Sequence, residues 1–438
     1  MKPSSAPAFS DADAADKVVR KSEVKFPVIA AVTLGNALEM FDFTIFSFFA
    51  VMIGKQFFPA TTPLASLLMT MATFGAGFVM RPLGGLVMGT YADRFGRKPA
   101  MMLCTSLMAV GTGMIGVTPS YDSIGVLAPL LIVTGRLLQG FSMGGEVGAS
   151  TALLAEATLR SSRGFMISWQ MASQGAAALV GALTGYLLST FLSQQELDSW
   201  GWRLPFLFGL LLGPLGYAIR SMLHETPPIE SPKGHAVRLV FSRFYHPLIT
   251  GVLLMTGGTA SMFIVVFYMP TYLVVGLHMP TSVSFLGACL AGAILLVGSP
   301  FAGLLSDRLA RRKPFVIFSR LLGASLIYPA FWLLNHTAQP ALALVAIGAL
   351  AGCLTLGSGA SFLLLVESFP QAVRATGFSL VYSIGVSIFG GFAPFVVTWL
   401  IEVSGDPMSP AHYMIVCSIV SLIALIPMKE HSTEPLGN

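Results

Sequence analysis

Five ionisable residues stand inside long apolar stretches, and their types define the chemistry the chain can carry. Glu39 and Asp42 lie three residues apart in Gly35-Asn36-Ala-Leu-Glu39-Met-Phe-Asp42-Phe43. On a helix, positions i and i+3 are neighbours, so the two carboxylates are expected to share one patch. Burial and a like neighbour both disfavour an ionised carboxylate, which suits such a pair to take up a proton near neutral pH. At about 1.5 Å per residue the pair lies roughly 20 to 24 Å along its helix. Arg136, about 18 Å into another helix on the same count, is the natural counter-charge. Competition between a proton and Arg136 for the acids would couple proton movement to a second event. A static Glu39/Asp42–Arg136 network that only locks helix packing is the alternative use of the same residues.

Arg81 and Arg320 are the remaining embedded cations, and the guanidinium fork matches a carboxylate better than an ammonium does. Together with Arg136 they are candidates to hold an anionic substrate. Arg320 lies only about 8 Å into its helix, where snorkelling to the membrane rim is an equally good account. Uncharged polar groups at similar depth could complete a carboxylate and hydroxyl site: Asn36, Gln139, Gln170, Gln174 and Tyr382. Each could equally be an interhelical hydrogen bond. Gln170 and Gln174, an i,i+4 pair, are the best of them. No GxxxxGK[ST] loop occurs, so ATP-driven work has no support, and no HExxH or catalytic pair within the helices points to an enzyme. No cofactor and no metal site is expected.

The elements that must position these residues follow from composition. The chain has 438 residues, 54% hydrophobic and 10% charged, with a mean hydropathy of +0.77. Soluble proteins carry about 25% charged residues, so this chain cannot cover a water-facing surface, and a single soluble core, a disordered chain and a nucleic-acid binder are all excluded. The four cysteines (Cys104, Cys289, Cys353, Cys417) lie in apolar stretches without paired spacing and read as buried apolar residues. Apolar runs of bilayer-spanning length, about 20 residues, begin near Phe26, Leu64, Ala100, Ile124, Gly164, Trp202, Pro247, Ser282, Phe315, Pro340, Gly377 and His412. The expected fold is an all-α polytopic membrane protein of twelve transmembrane helices. The segment Val237–Tyr245 reads as a possible interfacial helix.

Charge sets the orientation. With the N-terminus cytoplasmic, all of the 25 basic residues but Lys55, Arg81, Arg136, Arg203 and Arg320 fall on the cytoplasmic side or at cytoplasmic helix ends. Both termini are therefore expected inside. The chain also repeats itself. Gly89-Thr-Tyr-Ala-Asp93-Arg94-Phe-Gly96-Arg97-Lys98 has a counterpart 214 residues later in Gly303-Leu-Leu-Ser-Asp307-Arg308-Leu-Ala310-Arg311-Arg312-Lys313. Glu156 precedes Arg163 by seven positions, and Glu367 precedes Arg374 by the same interval 211 residues on. Two charge patterns recurring at nearly half the chain length predict two six-helix halves, residues 26–223 and 244–429. A linker at 224–243 joins them, and tails at 1–25 and 430–438 flank them. Parallel halves around a central cavity are what a carrier needs to expose one site alternately to each side.

The first loop pattern, Gly-x-x-x-Asp-Arg-x-Gly-Arg-Lys, resembles the signature of the major facilitator superfamily. More narrowly, the Gly35–Phe43 segment, Met80-Arg81-Pro82-Leu-Gly84-Gly85, Gly135-Arg136-Leu-Leu-Gln139-Gly140-Phe-Ser142 and Trp200-Gly-Trp202-Arg203-Leu-Pro205-Phe206 resemble its metabolite:proton symporter subfamily. Phe57-Phe58-Pro59-Ala60 and Ser168-Trp169-Gln170-x-Ala-Ser173-Gln174 are most similar to the citrate and tricarballylate carriers. The resemblance implies a multi-pass protein of a bacterial inner membrane, working as a monomer on a small organic anion with a proton as coupling ion. The residues leave Na⁺ open in place of H⁺. A carrier of 2-oxoglutarate, shikimate, an aromatic acid or a proline- or betaine-like osmolyte is the alternative. Gly89, Asp93, Arg94, Arg97 and Asp307 are read as a gating loop. In that reading Asp93 pairs with a basic residue and a helix N-terminus across the bundle, and Gly89 lets backbones approach.

Overall fold

The computed structural model describes residues 26–95, 97–145, 162–221, 233–309, 311–337 and 339–430. Among them every regular element is helical, as the bilayer requires, because backbone polar groups have no water to bond there. The first half comprises α1 (Phe26–Phe48), α2 (Ala50–Phe57), α3 (Pro63–Phe95), α4 (Arg97–Val117), α5 (Leu127–Ser142), α6 (Arg163–Phe191) and α7 (Leu204–Ser221). The second comprises α8 (Tyr245–Gly276), α9 (Thr281–Asp307), α10 (Lys313–His336), α11 (Pro340–Glu367), α12 (Arg374–Ser404) and α13 (Ser409–Leu425). Counting α1 and α2 as one bent span, twelve segments follow one another in the described chain, each beginning within three residues of its expected apolar run.

Three local features depart from straight spans. The first span bends by 63° between α1 and α2. Beyond the bend Lys55 meets Asp198 at 2.7 Å, and Gln56 donates to the Asp198 carbonyl, tying the helix to the short capped helix Gln194–Ser199. The α5 span starts later than its apolar run, because a separate turn, Tyr121–Ile124, ends at Gly125 with φ +59°. Wide i→i+5 turns occupy Phe263–Tyr268 and Tyr272–Gly276 of α8 and Val386–Gly391 of α12. Such turns cluster at functional sites. The segment read as interfacial forms the helix Lys233–Arg243, and its Val240 is fully buried, so it docks on protein.

Glycine decides how closely the bundle closes. Helices α6 and α9 run antiparallel across the divide between the halves, and Gly164 faces Gly303 while Gly175 faces Gly292. A Cβ at Gly175 would sit 2.5 Å from the Leu296 nitrogen, and one at Gly292 2.6 Å from that of Leu179. Small residues of this kind let backbones touch where lipid supplies no hydrophobic drive between helices. Within the first half Gly84 and Gly140 let α3 and α5 meet backbone to backbone. Gly89, by contrast, has no described atom within 4 Å of an added Cβ.

Candidate functional site

The five ionisable residues embedded in the apolar runs fall into two connected groups and one isolated residue. In the first group, Arg136 on α5 is fully buried and its guanidinium lies over the rings of Phe43, Phe46 and Phe74, at 4.2, 4.3 and 5.1 Å from their centroids. Cation–π contacts of this kind are worth more when desolvated. Its Nη1 donates to Gln139 Oε1 at 2.8 Å. Gln139 Nε2 donates to Thr112 Oγ1 at 2.8 Å, and that hydroxyl donates to Asp42 Oδ2 at 2.7 Å. Asp42 and Arg136 do not touch directly. Two neutral side chains separate them, with every hydrogen pointing from the cation toward the acid. The other Asp42 oxygen, Oδ1, has no hydrogen-bond partner and lies against Gly209 of α7, where a Cβ would come within 2.5 Å.

In the second group, Arg81 on α3 is 2% exposed. Its guanidinium lies 4.1 Å from the Phe78 centroid and 5.0 Å from that of Phe43, and Nη2 reaches Met143 Sδ at 3.5 Å. One Phe43 ring therefore stands between two cations. Arg81 faces Glu39 of α1 and Tyr382 of α12, and Tyr382 also faces Gln174 of α6. Here polar groups of both halves converge. Glu39 and Asp42 consequently do not share a patch: one side chain turns to Arg81, the other to Thr112. Helix spacing placed them as neighbours, but the packing of α3 on one side and of α4 and α7 on the other separates them.

The remaining candidates divide similarly. Gln170, 1% exposed, has neither amide atom hydrogen-bonded, an unusual state for a buried amide. Asn36 instead donates to Ser173 Oγ at 2.5 Å, an interhelical bond between α1 and α6. Gln139 bridges Arg136 and Thr112 in the relay to Asp42. Arg320 sits in a separate pocket lined by α8, α10, α11 and α13 of the second half only, away from Arg81 and Arg136. Sequence reasoning missed Thr112, Ser173 and the phenylalanines around Arg136. Nothing distinguishes Thr112 from any other small residue in Gly111-Thr112-Gly113 until its contact is seen.

The halves close over this site. Phe263 of α8 packs on Phe74 and Phe78 of α3, with centroids 6.2 and 5.1 Å apart. Ser387 of α12 donates to the Phe78 carbonyl at 2.7 Å, and Ser47 of α1 donates to the Phe267 carbonyl at 3.0 Å. Both second-half partners lie in the wide turns. At the end that charge bias places in the cytoplasm, Asp307 at the tip of α9 accepts from the backbone N–H groups of Gly164 and Phe165, both at 2.8 Å. A carboxylate thus caps the N-terminus of α6 across the divide, where the helix dipole favours negative charge. Arg312 pairs with Glu367 at 2.7 Å and approaches Asp307 at 3.9 Å. The side chains of Asp93, Arg94 and Arg97 lie outside the described residues. Asp307→Asn is expected to speed hydrogen exchange of the Gly164 and Phe165 amides by roughly tenfold or more, the scale of a charge-assisted hydrogen bond, and to slow turnover. Exchange unchanged from wild type would remove the contact from any gating role.

Residues 32–394 match the family model described as Major Facilitator Superfamily. The chain belongs to that superfamily. It is 39% identical over 400 residues to the citrate-proton symporter of Klebsiella pneumoniae, covering 90% of both chains. It is 33% identical over 428 residues to the proline/betaine transporter of Escherichia coli (strain K12), covering 93% of this chain and 84% of that one. Among solved structures the crystal structure of a D-xylose-proton symporter superposes with a TM-score of 0.75 at 18% identity, covering 93% of this chain and 98% of that one. That likeness carries the fold. As a major facilitator the chain is a multi-pass inner-membrane protein, and the relatives it resembles are transporters.

Proposed function

We propose that the chain is a proton-coupled importer working by alternating access, with a small di- or tricarboxylate as cargo, citrate or tricarballylate first. The observation that carries this reading is the meeting of Arg81 with Tyr382, where a desolvated guanidinium of one half faces a phenol of the other beside Glu39 and Gln174. A carboxylate entering between the halves would find a bidentate donor there, and the open amide of Gln170 would complete its hydrogen bonds. The likeness to the K. pneumoniae citrate-proton symporter supports the choice of cargo. Glu39 and Asp42 are the candidate proton carriers. Arg136 and Gln139 serve coupling, and Asn36 holds α1 to α6. The halves 26–223 and 244–429 rock about the linker 224–243, and the Asp307 cap, together with the first-half loop at Gly89, Asp93, Arg94 and Arg97, closes the cytoplasmic side. No chemistry beyond binding and proton transfer is required, so neither a cofactor nor a second copy is needed.

A zwitterionic osmolyte is the second reading, favoured by the aromatic wall of Phe74, Phe78 and Phe263 beside Arg81 and by the proline/betaine relatives. Uptake into proteoliposomes under an imposed pH gradient separates the two. Labelled citrate or tricarballylate should accumulate, and betaine and proline should neither accumulate nor compete. Accumulation of betaine without citrate would replace the carboxylate reading, and accumulation under a Na⁺ gradient alone would replace the proton.

A further inference from the structure

A guanidinium that no carboxylate pairs with among the described residues stands apart from the site above. Arg320 of α10 is enclosed by four helices of the second half, and among the described residues no carboxylate pairs with it. Its Nε is buried without a hydrogen-bond partner, and its Nη2 reaches only Ser361 Oγ, at 3.5 Å. The space it occupies is kept open by Gly258 of α8, where an added Cβ would fall 2.5 Å from Nη2 and 2.9 Å from Nη1. The pocket in front of it is lined by the hydroxyls of Ser261, Ser319 and Ser418 and by the apolar Val265, Ile327 and Leu350. It has room for roughly two water-sized groups, too little for a tricarboxylate. Arg320 is part-buried with its Nε withdrawn from solvent; a desolvated cationic group is best tolerated when paired or hydrogen-bonded, and an ionisable residue within a spanning segment is functional by default.

We propose that this pocket is a binding site for a small singly charged anion, chloride in the cell, distinct from the substrate site. The shared chemistry, one negative charge on a compact group, could also come from a single carboxylate of the cargo, and the experiment separates these sources. The Ser319 and Ser418 hydroxyls already donate to the Val316 and Met414 carbonyls. Arg320 and Ser261 are therefore the principal donors to the anion. The apolar walls favour a weakly hydrated halide over sulfate. The proposal stands whether the cargo is citrate or an osmolyte.

The test uses the full chain in nanodiscs of zwitterionic lipid, without substrate, and compares sodium chloride with sodium gluconate, whose anion is too large for the pocket. Chloride and bromide should raise the melting temperature in a saturable way and sulfate should not. Arg320→Gln should weaken the apparent chloride affinity at least tenfold, and Ser261→Ala less. The stabilisation given by citrate should persist in chloride and in Arg320→Gln. Should Arg320→Gln fail to fold, ³⁵Cl line broadening by wild type, reduced in Ser261→Ala, reads the same site. Equal stability of wild type in chloride and gluconate, an undiminished chloride effect in both variants, or displacement of chloride by citrate would each overturn the proposal.

Discussion

Asp42→Asn is expected to abolish substrate accumulation driven by a pH gradient while sparing exchange of labelled for unlabelled substrate. The acid sits at the end of a relay in which Arg136, Gln139 and Thr112 each donate to the next group. Its second oxygen, Oδ1, is buried without a hydrogen-bond partner and is therefore the oxygen with lone pairs left for a proton. Protonation there would release Thr112 and Gln139 to reorient, and the change would reach Arg136 through a chain of three hydrogen bonds. An asparagine holds the neutral state permanently, so the carrier should still cycle with substrate but lose its response to protons. The coupling removed is of the order of 1 to 3 kcal/mol, or roughly 5- to 150-fold in accumulation ratio. Thr112→Val, which leaves the acid but cuts the relay, should fall between wild type and Asp42→Asn. Glu39→Gln is the companion measurement, because that acid lies near Arg81. If both acid variants still concentrate substrate when only a pH difference is imposed, neither carries the proton.

Arg81→Gln is expected to weaken carboxylate binding by about 1.5 to 3 kcal/mol, the range for a hydrogen bond to a charged group. That is roughly a 10- to 150-fold rise in Kd. The loss should be shared by Tyr382→Phe to a smaller degree, since the phenol meets the same guanidinium from the other half. Arg320→Gln should leave citrate affinity near wild type, because its pocket opens among helices of the second half alone. Calorimetry on the purified protein with citrate distinguishes these variants. Wild-type affinity in Arg81→Gln would move the site away from the α3–α12 contact and toward Gln170.

The spans, their number and the embedded charges were legible in the sequence because each depends on local composition. A run of about 20 apolar residues must form a helix in lipid whatever its neighbours do, and a charge within it stands out because it must be buried, paired or snorkelled to the interface. The repeat of Asp93 at Asp307 was equally legible, and the second copy caps α6 across the divide. Partners were a different matter. Glu39 and Asp42 lie one turn apart on α1, yet one meets Arg81 and the other Thr112, because α3 and α4 approach that helix from different sides. Arg136 is fully buried but answers Asp42 through Gln139 and Thr112, its own charge being held by three phenylalanine rings.

The sequence by itself determined that this is a twelve-span helical carrier built from two similar halves with five charges inside the membrane. Those properties follow from hydropathy, length and repetition along one chain. Only the tertiary structure decided which charges meet. That depends on the rotation of each helix about its axis, on the glycine steps that set the α6–α9 approach, and on wide turns in α8 and α12 that redirect side chains between the halves. A rotation of one residue, about 100°, turns a side chain from a cavity to a neighbouring helix, and no local pattern in the chain fixes it. Arg320 is the clearest case: its place in an apolar run was readable, but its pocket exists only because Gly258 and serine-bearing helices surround it.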